Sequence, residues 1–104
     1  MPSAKLFDDP NIRAIEAEIS RLREILINKN RDYGSSAFES PYLNPNLSAE
    51  DAILVRMSDK INRLHNIMIN GNTVPESVED TVTDLVGYGL VYLANKRKNI
   101  SEIP

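Results

Sequence analysis

One segment of the sequence, residues 73–98, carries carboxylates at a spacing that limits what the chain can fold into. Glu76, Asp80 and Asp84, which we call the acidic ladder, follow one another at intervals of four, with Glu79 beside them. Side chains four apart share one face of a helix, and like charges there repel by about 0.2–0.5 kcal/mol per pair. The helix dipole relieves this repulsion only in the first turn. The acidic ladder therefore needs a cation, a basic partner or solvent.

The same segment is predicted to be the last of three helices. Thr73 and Glu76 have the spacing of a capping box, and Pro75 falls in the first turn, where its missing N–H costs nothing. Gly87 and Gly89 interrupt good helix formers at up to about 1 kcal/mol each, so they indicate close approach by another helix or a ligand. The predicted apolar stripe of this helix comprises Val78, Val82, Leu85 and Leu93.

Composition narrows the functional classes. The chain has 104 residues, enough for one domain with a modest core, and a net charge of −3, which disfavours non-specific binding to nucleic acid or anionic membranes. With no cysteine and a single histidine, His65, it has no thiol chemistry and no histidine-rich metal site of its own. No apolar run reaches the roughly 18 residues of a membrane span, and no signal peptide is visible, so we expect a cytoplasmic protein.

Two further helices are predicted upstream. The first runs from Asn11 to about Lys29 and carries a narrow apolar seam of Ile12, Ile15, Ile19, Leu22 and Leu26. Residues 1–10 are predicted to be an arm and residues 99–104 a tail, so that residues 11–98 form the single helical domain. The helix is followed by a long break over residues 30–47 that is rich in Gly, Pro and Asn.

This break has two interpretations. Lys29, Arg31 and Tyr33 surround Gly34 with cations and a ring, which would suit a phosphate and a base. In the alternative, Gly34 merely ends the first helix and the aromatic residues of the break cover the core.

The second helix is predicted to start after Ser48, which forms a capping signal with Asp51, and to stop at Gly71. Its expected buried face is Ile53, Met57, Ile61, Leu64 and Met68, with His65 partly buried beside it. Another face carries Arg56, Asp59, Lys60 and Arg63. These charges form either a salt-bridge ladder, or a site in which Asp59 binds a metal and the cations bind phosphates.

An all-α fold follows, because no segment has the period of a strand. The second and third helices have matched lengths and a compact link, so they should form an antiparallel hairpin. Counting from that link places Asp59 and Lys60 level with Asp84 and Asp80. Carboxylates interleaved with cations in this way suit Mg²⁺ together with the phosphates of a nucleotide.

Three motifs in order give the chain a resemblance to a known family. Residues 29–34 read KNRDYG, residues 56–64 read RMSDKINRL and residues 76–85 read ESVEDTVTDL. Over about residues 22–94 the chain resembles the phage-enriched nucleotide modification associated domain one family. More distantly it is similar to the all-α MazG-type nucleoside triphosphate pyrophosphohydrolases. That similarity implies Mg²⁺, hydrolysis between the α and β phosphates, and sites built between subunits of a homo-oligomer.

The chain departs from the MazG pattern, which has Glu-x-x-Glu on one helix and Glu-x-x-Asp on the next. It offers a lone Asp59, and then Glu79-Asp80 with Asp84. The resemblance therefore supports a nucleotide and Mg²⁺ more than a given reaction.

The residues predicted to form a site fall into three sets. The metal set is Asp59, Glu79, Asp80 and Asp84, with Glu76 at its rim and Glu79 or Asp80 as the base for an attacking water. The phosphate set is Arg56, Lys60 and Arg63, and the nucleoside set is Lys29, Asp32 and Tyr33. Three functions stay open: a Mg²⁺-dependent nucleotide pyrophosphohydrolase, a non-catalytic nucleotide-binding or nucleotide-sequestering protein, and a helical interaction module. Narrow apolar seams on all three helices, together with the gap at Gly87 and Gly89 that suits a symmetric partner, also predict a homo-oligomer.

Overall fold

The computed structural model describes residues 8–72 and 76–99 of the chain. It contains three long helices, α1 (Pro10–Asp32), α2 (Ala49–Asn70) and α3 (Val78–Asn99), and a short 3-10 helix at Ser36–Phe38 between α1 and α2. No strand occurs in these two ranges. The predicted all-α fold is confirmed.

The ends of α1 and α2 follow from local signals in the sequence. At the start of α1, the Asp9 carboxylate accepts a hydrogen bond of 2.8 Å from the backbone N–H of Asn11, and Pro10 stands first in the helix. At the start of α2, Ser48 Oγ accepts from the backbone N–H of Asp51 at 3.0 Å, as predicted. Gly71, with φ of +81°, ends α2 in a backbone conformation that few other residues adopt.

The start of α3 differs from the prediction. The helix begins at Val78, where Ser77 Oγ accepts a hydrogen bond of 2.9 Å from the backbone N–H of Asp80. Thr73 and Pro75, on which the predicted cap depended, lie outside the described residues. Two cap signals of similar strength occur within five residues, and local pattern alone does not choose between them. As a result Glu76 precedes the helix.

Helices α2 and α3 form the predicted antiparallel hairpin. Ion pairs and hydrogen bonds at three levels fix its register: Lys96 Nζ lies 3.2 Å from Glu50, Lys60 Nζ lies 3.0 Å from Asp84, and Arg63 Nε lies 2.9 Å from Thr81 Oγ1. Residue numbers rise along one helix as they fall along the other. Counting from the link predicts Asp59 and Lys60 level with Asp84 and Asp80; in the structure it is Lys60 that meets Asp84, and Asp59 and Asp80 are exposed.

Helix α1 packs against α3 in the same general direction. Arg21 donates a hydrogen bond to Thr83 Oγ1 at 3.2 Å, and further along Leu26 lies against Gly87. A Cβ added at Gly87 would lie 3.2 Å from Leu26 Cδ2, so this glycine lets the two helices approach closely. Of the two alternatives that the glycines left open, another helix or a ligand, the structure shows the helix at Gly87, which also lines the cleft described below. In the described part of the chain, no helix is long and apolar enough to span a membrane.

The core is much smaller than the apolar seams predicted. Among the described residues only Ala52 and Ile53 are fully buried apolar side chains. Several side chains expected in the core are exposed: Ile15, Ile19, Ile61, Met68, Val78, Val82 and Leu93. His65 is exposed as well, so its predicted partial burial is wrong. The physical reason is flatness, since the molecule measures 50 × 46 × 22 Å and each helix has neighbours on only part of its circumference.

Candidate functional site

A cleft of about 290 Å³ lies between the C-terminal half of α1 and the middle of α3. Its apolar floor comes from both helices, and the connection after α1 forms one wall. Its polar and aromatic lining consists of Lys29, Asn30, Tyr33, Ser36, Arg56, Thr83, Asp84 and Tyr88. Three of the predicted phosphate and nucleoside residues therefore meet in one cleft: Lys29, Tyr33 and Arg56.

The wall of the cleft is tied to α3 by Asn95. This side chain is 3% exposed, and its Nδ2 donates to the backbone oxygen of Ala37 at 3.2 Å and to that of Val91 at 3.4 Å. Before that wall, Gly34 and Ser35 both have positive φ, of +61° and +63°, which turns the chain back toward α3. Sequence reasoning did not single out Asn95, and an asparagine among apolar residues near the end of a helix is its only signal.

Two cations line the cleft, and they differ in how they are paired. Lys29 Nζ lies 3.3 Å from Asp84 Oδ1, and the lysine side chain is 53% exposed. Arg56 is partly buried and, within residues 8–72 and 76–99, makes no hydrogen bond or ion pair. A guanidinium that faces a cleft and has no carboxylate as its own partner is available to bind an anion. With one carboxylate against two cations, the cleft has a net positive lining.

Behind the cleft, a lysine lies between two carboxylates of the acidic ladder. Lys60 Nζ lies 3.0 Å from Glu76 Oε1 and 3.0 Å from Asp84 Oδ2, and the lysine side chain is 21% exposed. The ammonium group thus stands between the two carboxylates, where a bound metal ion would otherwise be needed. The hydrogen bond to Asp84, followed by that to Glu76, raises the pKa of Lys60 above its usual value.

Asp84 is held ionised by the same contacts. Partial burial raises the pKa of its carboxyl, but the hydrogen bonds from Lys60 and Lys29 outweigh burial, so the pKa lies below its usual value. The sequence left a cation, a basic partner or solvent open for the acidic ladder. Glu76 and Asp84 have the basic partner.

Arg63 fixes the segment that leads into α3. Its Nε lies 3.2 Å from Glu76 Oε2 and donates to Thr81 Oγ1, and its Nη2 donates to Asn72 Oδ1 at 3.1 Å and to the backbone oxygen of Glu76. Thr81, fully buried, also donates to the backbone oxygen of Ser77. These contacts occupy the guanidinium, so Arg63 has a structural role in this arrangement.

The remaining predicted residues lie apart from the cleft. Asp59, Glu79 and Asp80 are exposed, and Asp32 is exposed beside Arg31, 3.9 Å away. In the ranges that the structure describes, no three Asp, Glu or His side chains come together in a way that would hold a metal ion. Asp59, Glu79, Asp80 and Asp84 are therefore not gathered into one metal site within the described ranges of a single chain, and the Mg²⁺ set stays a prediction. Thr83 and Tyr88 line the cleft but were not predicted.

Comparison with known families gives one match. The family model described as nucleotide modification associated domain 1 matches residues 29–95. The chain belongs to this family. In this member of nucleotide modification associated domain 1, the matched range begins at Lys29 of the cleft and includes Arg56, Asp84 and Asn95. Comparisons with curated proteins and with solved structures give no significant match.

Proposed function

We propose that this protein binds a nucleotide in the cleft between α1 and α3, with the phosphate at Arg56 and Lys29. The guanidinium of Arg56, which has no hydrogen-bond or ion-pair partner in the described part of the chain, is the observation that carries the proposal. Arginine offers two parallel N–H donors that match a phosphate, and lysine adds a compact point charge. The name of the family, which refers to nucleotide modification, supports a nucleotide over other anions.

The other lining residues suit a nucleoside. Tyr33 and Tyr88 supply rings for stacking with a base, a contact generally worth about 1–3 kcal/mol per base. Asn30, Ser36 and Thr83 supply hydrogen-bonding groups for the edge of a base or a sugar hydroxyl. A volume of about 290 Å³ is at the small end of ligand pockets, which favours a single nucleotide over a polymer.

The proposal is for binding without hydrolysis. A Mg²⁺-dependent pyrophosphohydrolase would need carboxylates that are free to hold the metal. Glu76 and Asp84 instead contact Lys60, Lys29 and Arg63, while Glu79, Asp80 and Asp59 lie outside the cleft. A protein of this kind would sequester a nucleotide or present it to a partner enzyme.

The test is a titration with nucleoside mono-, di- and triphosphates, each with and without Mg²⁺, by isothermal calorimetry. We expect binding that does not require Mg²⁺ and that weakens at least tenfold in Arg56→Gln. The matched control is Arg23→Gln, since Arg23 is 70% exposed on α1 and does not line the cleft.

Phosphate and pyrophosphate release is followed in the same mixtures. Binding that survives Arg56→Gln would contradict the proposed site. Turnover that depends on Mg²⁺ would show that the protein is a hydrolase and that its carboxylates rearrange.

A further inference from the structure

One face of the α2–α3 hairpin is apolar, and no described element covers it. On α2 it presents Leu54, Ile61 and Met68, spaced by seven residues and therefore aligned along one side of the helix. On α3 it presents Val82, Val86 and Leu93. We call these six side chains the hairpin face. They are 43–86% exposed, although their residue types are those usually found inside proteins.

The two halves of the hairpin face lie on the same side. Glu50, one turn before Leu54, is paired with Lys96, one turn after Leu93, at 3.2 Å. Because each residue of this ion pair lies next to the apolar stripe of its own helix, the stripes of α2 and α3 lie on the same side of the hairpin and form one surface.

The cleft and α1 lie on the opposite side. Arg56 follows Leu54 by two residues, which places it about 200° around α2 and away from the hairpin face. Arg56 and Asp84 line the cleft together with residues of α1. Covering the hairpin face would therefore leave the cleft open.

We propose that the hairpin face binds the same face of a second copy of this chain, giving a two-fold symmetric dimer with four helices at its centre. The small core is the first argument. With Ala52 and Ile53 as the only fully buried apolar side chains of the described ranges, one chain buries less apolar surface than a stable domain of this length needs. A second copy supplies an apolar layer of the same size and shape.

The charges at the ends of α3 set the orientation. Glu79 lies at the N-terminal end, where its charge also acts on Arg21 of α1, while Lys96, which is paired with Glu50, and Arg97 lie at the C-terminal end. If the two copies of α3 face each other antiparallel, each Glu79 approaches the basic end of the other copy. A parallel arrangement would bring like charges together at both ends.

The oligomeric state is the first test, measured by sedimentation velocity at 5–100 μM, on the order of the concentrations at which moderate dimers form. We expect twice the chain mass of 11.7 kDa for the unmutated protein, and the mass of one chain for Val86→Glu. Two controls place the same charge on exposed apolar residues elsewhere, Ile19→Glu on α1 and Leu43→Glu in the connection after α1; these residues are 56% and 93% exposed.

Both controls should remain dimeric. A monomeric unmutated protein, a dimer that persists in Val86→Glu, or a monomer produced by Ile19→Glu would each overturn the proposal. Circular dichroism of every variant shows whether the helices remain folded.

Cysteine cross-linking is the second test. The chain has no native cysteine, so every disulfide formed must involve an introduced residue. Val86→Cys lies near the predicted two-fold axis and should form a disulfide-linked dimer on oxidation. Val78→Cys lies eight residues, about 12 Å, from that point, so two copies would be about 24 Å apart, beyond the roughly 7 Å that a disulfide spans.

Val78→Cys should therefore cross-link with Leu93→Cys in a mixture but not with itself. Efficient self-linking of Val78→Cys would show a parallel arrangement and overturn the orientation. Failure of all three to cross-link would overturn the interface.

Discussion

Lys60 is the central cation of the charged contacts between α2 and α3. An ammonium group placed 3.0 Å from each of two carboxylates reduces the repulsion between Glu76 and Asp84 of the acidic ladder. Partly buried ion pairs of this kind are costly to break on one side, because the partner that remains loses its counter-charge without regaining full solvation. Lys60 and Arg63 hold the hairpin together, so in the proposed function stability and ligand binding depend on different cations, with Arg56 serving the ligand.

Replacing Asp84 by Asn should destabilise the protein. The change keeps the shape of the side chain but removes the charge that Lys60 and Lys29 contact, so we expect a loss of about 1–2 kcal/mol in the free energy of unfolding. Urea denaturation measures this loss. The matched control is Asp32→Asn, because Asp32 is 71% exposed and lies outside the cleft. A clear rise in the melting temperature of the unmutated protein on adding Mg²⁺ would contradict the ion-pair interpretation.

The same carboxylate predicts a dependence of stability on pH. The pKa of Asp84 is lowered in the folded protein, so its contribution is complete above the unfolded pKa of about 3.9 and is lost as pH falls through the lower folded value. The difference in unfolding free energy between the unmutated protein and Asp84→Asn should therefore be constant near neutral pH and shrink below about pH 4. Denaturation series at several pH values would show this. A difference that stays constant down to pH 2 would contradict it.

At the scale of elements, the three helices could be predicted from the sequence more reliably than their neighbours could. Ser48 and Gly71 fixed α2 because cap signals act within a few residues of the chain. The register of the hairpin was predicted only approximately: counting from the link placed Asp59 and Lys60 level with Asp84 and Asp80, whereas α3 begins later than the count assumed and Lys60 meets Asp84. The face that each helix buries was predicted poorly, as the exposed Ile61 and Met68 show. The sequence pattern of an apolar seam does not tell whether the same chain or another molecule covers it.

The site was partly predictable for the same reason. Arg56, Lys29 and Tyr33 were identified as ligand-binding candidates and do line one cleft. Thr83 and Tyr88 were missed because their contribution depends on where α1 crosses α3. The exposed positions of Asp59 and Glu79 were equally inaccessible to sequence reasoning, since helix rotation about its axis is set by packing.

Asn95 connects two elements, and its removal should affect both stability and binding. Asn95→Ala leaves the backbone oxygen of Ala37 without its donor and frees the wall of the cleft from α3, so we expect a loss of about 1–2 kcal/mol in unfolding free energy. If a nucleotide binds there, its affinity should also fall, because the wall must be ordered on binding. Calorimetry and denaturation test the two effects separately. Unchanged stability would show that Asn95 does not anchor the connection.

At the scale of the whole molecule, a flat chain with a small core is expected to depend on assembly. If dimerisation through the hairpin face completes the core, unfolding is coupled to dissociation, and the melting temperature should rise with protein concentration. Calorimetric scans at protein concentrations between 5 and 200 μM measure this, since the range spans dissociation constants on the order of tens of micromolar. Val86→Glu should melt at one temperature throughout. A melting temperature of the unmutated protein that is independent of concentration would contradict the coupling.

The position of Lys60 between two carboxylates also has a consequence for chemical labelling. Acylating reagents react only with the neutral amine, and the raised pKa of Lys60 lowers the fraction of this group that is neutral at a given alkaline pH. The labelling is done at about pH 9, which is one to two pH units below the ordinary lysine pKa of about 10.4. Under these conditions Lys60 should be acetylated much more slowly than the exposed Lys98. Peptide mass spectrometry of timed samples gives both rates. Asp84→Asn removes the negative charge of the principal hydrogen-bond acceptor, so labelling at Lys60 should accelerate in that variant while labelling at Lys98 stays the same.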